Sequence, residues 1–259
     1  MAEKYYHERF KLAGSELVQI WGRAFVLKEF LVETKQRITK DIILERIPQT
    51  FMSTGLPFRD ITQVFEAGKP NLLLVPSQYS LTTSNLDSEI DIIVSRECMF
   101  YIAQAYEILE SYLYDQIAEF LFLKGSVDIF IDKQNKSTKE SIKKGLKTLD
   151  DRQNNRHLIR ILRTNCKLYA QTEAVNLYNL NLNDWFEMLG HVRHCITHQR
   201  MVTSDDLLNR IPSIYKNYFS ATPYDGLTLL TVTYENCSKV IIAIVEFMYL
   251  IAISLTETE

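Results

Sequence analysis

Glycine and proline are scarce in this chain, at eight and six of 259 residues. A loop-rich all-β fold needs many more turn formers, so the shortage excludes such folds and favours long helices. Cysteine is scarce too. Cys98, Cys166, Cys195 and Cys237 are scattered without a C-x-x-C pair. That fits reduced thiols in a cytoplasmic protein better than a disulfide framework. No H-E-x-x-H segment, internal repeat or low-complexity stretch occurs. The opening residues Met1-Ala2-Glu3-Lys4-Tyr5-Tyr6 lack the apolar core of a signal peptide. A membrane span requires ~20 apolar residues. The most apolar run, Val240 to Leu255, is shorter and carries Glu246, so it is expected to be a buried helix with no membrane contact.

What is present is ordinary for a soluble globular protein: 46% apolar and 24% charged residues, enough chain for one large or two small domains. The net charge of −3 hides an asymmetry. Eleven lysines and arginines between Lys133 and Lys167 face only Glu140, Asp150 and Asp151, so that window carries +8 and the remainder −11. Concentrated positive charge suits a polyanionic partner.

Apolar residues from Phe10 to Leu31 recur three and four apart and predict a long amphipathic helix over Glu3 to Lys35. A shorter helical piece is expected over Asp41 to Arg46. Pro48 to Thr83 is punctuated by prolines and glycines and predicts an irregular connection with one short helix near Asp60 to Ala67. The chain is therefore expected to divide into a helical N-terminal extension, 1–83, and a helical domain, 84–259. Ser84 or Ser88 is expected to cap a helix that runs unbroken to Leu123. A basic helix to Leu149 and another from Asp151 to Ala170 follow. Asn183-Asp184 is expected to cap the next helix, which runs from Trp185 toward Arg200 and must end just after His198, since Thr203-Ser204-Asp205-Asp206 supplies a new cap. Asp225-Gly226 between apolar-aromatic stretches signals a small hairpin, and Thr233 caps the last helix.

Arg193-His194-Cys195-Ile196-Thr197-His198 carries the chemistry. Arginine is a permanent cation whose planar fork binds phosphate oxygens. Histidine exchanges protons near neutrality. Five residues along a straight helix rotate the side chain by ~140°, so Arg193 and His198 leave their helix in different directions. Convergence then needs a swing of the arginine, an early helix end, or a second subunit.

Arg193, His194 and His198 stand at the three informative positions of an R-x4-6-H signature, and this resembles the HEPN superfamily. The resemblance extends over roughly residues 88 to 255. Tyr106-Glu107-Ile108-Leu109-Glu110-Ser111-Tyr112-Leu113-Tyr114 looks like that family's first long core helix, and the Trp185 helix looks like its motif helix. The resemblance implies an all-α helical bundle that forms a homodimer and brings two motifs to one cleft. It further implies a cytoplasmic, metal-independent, cofactor-free endoribonuclease of toxin–antitoxin or phage-defence type, with RNA as substrate and an antitoxin or regulatory protein as a further partner class. Other members are inactive modules that bind RNA or protein, which is the alternative reading. Catalytic roles fall on Arg193, His194 and His198, with Glu107, Glu110 and His191 in support. Arg200 stands where some members carry a modifiable tyrosine, which argues against that form of control. Gln199 is a mild departure.

Each residue also has a plainer account. His198 suits a helix end, where the dipole favours imidazolium. Glu107 and Glu110 are equally consistent with exposed helical carboxylates. Glu187, His191, His194 and His198 fall on one helical stripe and form a rival metal site that lacks a ligand from elsewhere. Arg152, Arg156, Arg160, Arg163 and Lys167 recur every three or four residues, opposite Leu158, Ile161, Leu162 and Leu168. If they lie on one helix they form either a solvated face or a track for an RNA backbone.

Overall fold

The computed structural model describes residues 2–44, 46, 50–53, 56–59, 72–75, 79–82, 84–124, 138–153, 156–177, 179–203 and 217–256. The fold is all-α in class, with a helical N-terminal region and short two-stranded ladders as its only sheets among the described residues. The helices are α1 (Ala2–Ile43), α2 (Leu86–Lys124), α3 (Lys139–Gln153), α4 (Arg156–Asn165), α5 (Lys167–Thr172), α6 (Leu182–His198) and α7 (Tyr234–Thr256). The strands are β1 (Thr50–Ser53), β2 (Leu56–Arg59), β3 (Leu72–Val75), β4 (Tyr79–Thr82), β5 (Ser220–Tyr224) and β6 (Leu227–Thr231).

The chain forms two compact units that divide it differently from the expected boundary at residue 83. One comprises Met1–Leu27 with Val94–Glu259, the other Lys28–Ile93. Residues at the start of α1 therefore belong with the main bundle, because Tyr6, Leu17, Ile20 and Ala24 repeat at helical spacing and are buried in it.

In the main unit α2 is central. Cys98, Met99, Ile102, Ala105, Leu109, Leu113, Ile117 and Phe120 are all buried, and no glycine or proline interrupts the helix. The hydroxyl of Tyr112 donates to the Met248 carbonyl of α7 at 3.1 Å, and Ser95 Oγ accepts from the Val232 amide at 2.9 Å. α7 meets the length and composition of a membrane-crossing helix, yet Val240, Ile241, Ile244, Phe247, Met248, Ile251 and Leu255 are buried among the other helices. It serves as a core helix. Thr233 caps it through its hydroxyl, which accepts from the Asn236 amide at 3.2 Å. Ahead of it, β5 and β6 pair antiparallel with Tyr224 opposite Leu227. Asp225 and Gly226 have φ of 49° and 72°, the paired positive values of a two-residue hairpin turn.

The smaller unit differs from the irregular connection expected there. β1 pairs with β4 and β2 with β3, both antiparallel, so Thr50 faces Thr82 and Leu56 faces Val75. The short helix expected near Asp60 to Ala67 lies outside the described residues. α1 also continues through Asp41 to Ile43 without the break expected before that piece.

Candidate active site

α6 is positioned by a cap, a buried face and a forced end. Its N-cap is Asn181, whose side-chain oxygen accepts from the amides of Asn183 at 3.1 Å and Asp184 at 3.2 Å. The residues expected to cap are thus the ones capped. Trp185, Met188, Leu189, Val192, Cys195 and Ile196 recur every three or four residues and are buried. The helix ends at His198, as the sequence requires. Arg200 and Met201 take left-handed conformations with φ of 54° and 65°, costly for side chains with a Cβ. The strain persists because the following segment docks on the hairpin. The Met201 carbonyl accepts from the Leu230 amide at 2.8 Å, and the Thr203 amide donates to the Thr228 carbonyl at 2.9 Å. Val202 forms an isolated bridge with Leu229, and Thr203 is held against the hairpin; Ser204 to Asp206 lie outside the described residues.

Two flanks of α6 carry the candidate residues. Phe186, Gly190 and Arg193 face α2: Phe186 packs on Tyr106 with ring centroids 5.6 Å apart, and Arg193 Nη2 donates to Glu107 Oε1 at 3.4 Å. Arg193 Nε is shielded from solvent and has no acceptor among the described residues. Among the described residues the guanidinium is held by one long contact and keeps most of its donors unspent. The other flank carries Glu187, His191, His194 and His198. His191 Nε2 lies 3.7 Å from Glu187 Oε1, and the His194 and His198 rings are 4.8 Å apart at an interplanar angle of 42°. Both of these rings are exposed. The structure therefore joins His194 to His198 and Arg193 to Glu107, on separate flanks. This is the divergence that helical rotation dictates. Glu110, three residues beyond Glu107, is partly buried. Among the described residues no group of three or more His, Cys, Asp or Glu side chains converges as a metal-ligand set.

Gly190, which sequence inspection passed over, and Cys195, to which it gave no role in the site, both shape the site. Gly190 permits close approach of α6 to Tyr106, and the signal for it was a helix-interior glycine three residues before Arg193. Such a glycine costs ~1 kcal/mol relative to alanine and calls for a packing reason. Cys195, within the motif, is fully buried, and burial pushes its thiol up to about 11. It is a core residue, and burial disfavours its thiolate.

The basic row is not one helical face. A break around Cys166 separates Lys167 on α5 from Arg160 and Arg163 on α4, while Arg152 belongs to α3 and Arg156 opens α4. Arg163 is committed to structure, its Nε and Nη2 each donating at 2.6 Å to the carboxylate of Glu173. Leu158, Ile161 and Leu162 are buried as the pattern predicts. Comparison of the chain with family models, curated proteins and solved structures finds no match.

Proposed function

We propose that the protein is a metal-independent endoribonuclease of HEPN type that cuts single-stranded or loop RNA, in the manner of toxin or phage-defence effectors, and works as a cytoplasmic homodimer. The observation that carries this reading is the state of the motif. Among the described residues the Arg193 side chain makes a single polar contact, at 3.4 Å, and an exposed histidine pair stands on the other flank at the helix end. A structural arginine would spend its donors on buried acceptors, as Arg163 does on Glu173.

In the reaction, a histidine of the His198 class accepts the proton of an RNA 2′-hydroxyl. The 2′-oxygen attacks phosphorus, the bond to the 5′-oxygen breaks, and an imidazolium protonates the leaving oxygen. The products are a 2′,3′-cyclic phosphate and a 5′-hydroxyl. Arg193 offsets the charge that grows on the phosphoryl oxygens. Arg193 and His198 of one chain occupy different flanks, so two copies of α6 across a dimer supply acid, base and cation to one cleft. His194 orients or assists its neighbour, and Glu107 parks the guanidinium until phosphate replaces it.

Incubation with unstructured RNA in the presence of a chelator tests the proposal. Cleavage that survives chelation and disappears in His198→Ala supports it. A wild-type protein that binds RNA or a protein partner without cleavage supports the inactive-module alternative instead.

A further inference from the structure

An open groove of about 580 Å³ runs between the first half of α1 and α2 within the main unit. Arg9, Glu16 and Arg23 line it at seven-residue intervals, so they lie on one face of α1, and the rise from Arg9 to Arg23 is ~21 Å. Gln19 of α1 and Gln104 of α2 stand between them, and Glu107 forms part of the wall. Neither arginine has an ion-pair partner among the described residues; Arg9 only packs over the Tyr5 ring, 5.5 Å from its centroid. The acids are otherwise occupied. Asp115, at one end, is bound by Lys143 at 2.5 Å, and Glu107 is the carboxylate that holds Arg193. Glu16 is the remaining charge, flanked on the same face by the two arginines.

We infer that this groove is the track for the single-stranded RNA substrate. Arg9 and Arg23 take phosphates at its two ends, and Glu16, Gln19 and Gln104 meet the edges of the intervening bases. Carboxylate and amide oxygens accept from base N–H groups, such as N3–H of uracil, which is how unpaired bases are recognised. Glu107 joins the track to the motif: a strand that fills the groove reaches the carboxylate that parks Arg193. The inference rests on the ribonuclease reading for the nature of the ligand, and it replaces the broken row at Arg152 to Lys167 as the main RNA contact.

The test is fluorescence anisotropy with a labelled oligouridine, on full-length protein carrying His198→Ala so that the probe stays intact. Adding Arg9→Gln and Arg23→Gln should weaken binding ~10-fold and lower the salt dependence by ~1.4 in log–log slope, the loss of two phosphate contacts on a single strand. Arg160→Gln in the same background should change neither quantity. Both groove arginines are exposed and have no ion-pair partner among the described residues, so these variants should melt like their parent. Unchanged affinity and slope in the double variant, or a loss confined to Arg160→Gln, overturns the inference. If RNA cleavage by wild type persists in that case, the ribonuclease reading stands without the groove. If the groove variants lose binding while wild type never cleaves, the groove holds and the ribonuclease reading fails. Failure of the parent to bind oligouridine overturns the track.

Discussion

A Cβ added at Gly190 would lie 3.2 Å from the Tyr106 hydroxyl. Tyr106 is itself buried and packed on Phe186, so it has little room to yield. This close approach of α6 to α2 sets the distance over which Arg193 reaches Glu107. Gly190→Ala should therefore destabilise the fold by ~1–2 kcal/mol, overpacking outweighing the gain in helix propensity. Gly14 and Gly22, on α1, have nothing within 4 Å of an added Cβ. Alanine there should stabilise by ~0.5–1 kcal/mol each. Chemical denaturation of the three variants checks the contrast in sign.

The cap of the motif helix is a second test. Asn181→Ala removes the acceptor for two amides of the first turn, and the expected cost is ~1 kcal/mol. Asn183→Ala, which leaves the capping oxygen in place, should cost much less. Equal losses would mean that the cap does not sit at Asn181.

Arg163 should behave as a structural residue. Its partner Glu173 has a side chain only 10% exposed, so Arg163→Ala strands a nearly buried carboxylate. A loss of ~1–2 kcal/mol in urea denaturation is expected, the range for a charged hydrogen bond with a half-exposed donor. Oligonucleotide affinity should be unaffected at a temperature where the variant is folded.

Alkaline pH probes the buried thiol of the motif. Burial raises Cys195 from near 9 to about 11. The folded state thus holds the thiol proton more tightly than the unfolded chain does. The stability linked to it is complete below about pH 9 and is lost as pH rises through about 11. The melting temperature of wild type should fall over that window, and Cys195→Ala should flatten part of the fall.

Much of the bundle was legible in the chain because the signals are local. The unbroken run of α2, the end of α6 at His198, the Asp225-Gly226 turn and the Thr233 cap each follow from a few neighbouring residues. The β1–β4 and β2–β3 ladders were not legible. Thr50 pairs with Thr82 across more than thirty residues, and strands of four residues carry too little alternation to announce themselves. The break at Cys166 also escaped notice, since apolar spacing continues through it from Leu162 to Tyr169. Within the motif, the divergence of Arg193 from His198 was readable from helical rotation. That Arg193 leans on Glu107 while His194 meets His198 depends on which flank of α6 packs against α2, and that is a tertiary fact.

The proposed ribonuclease is expected to dimerise, since one chain places its arginine and its histidines on separate flanks. Sedimentation at micromolar concentration should give twice the 30.2 kDa of one chain. A lone monomer that nevertheless cleaves RNA would require Arg193 to swing across α6 within one subunit.

Analysis of the cleaved ends tests the central claim most directly. Wild-type protein incubated with RNA and chelator should leave 2′,3′-cyclic phosphates and 5′-hydroxyls. Arg193→Lys should lower the rate by ~10²-fold or more, since a point charge does not reproduce the paired planar contacts of a guanidinium, with melting temperature and dimer content unchanged. Products bearing 5′-phosphates, or an Arg193→Lys variant that cuts as fast as wild type, would contradict the account.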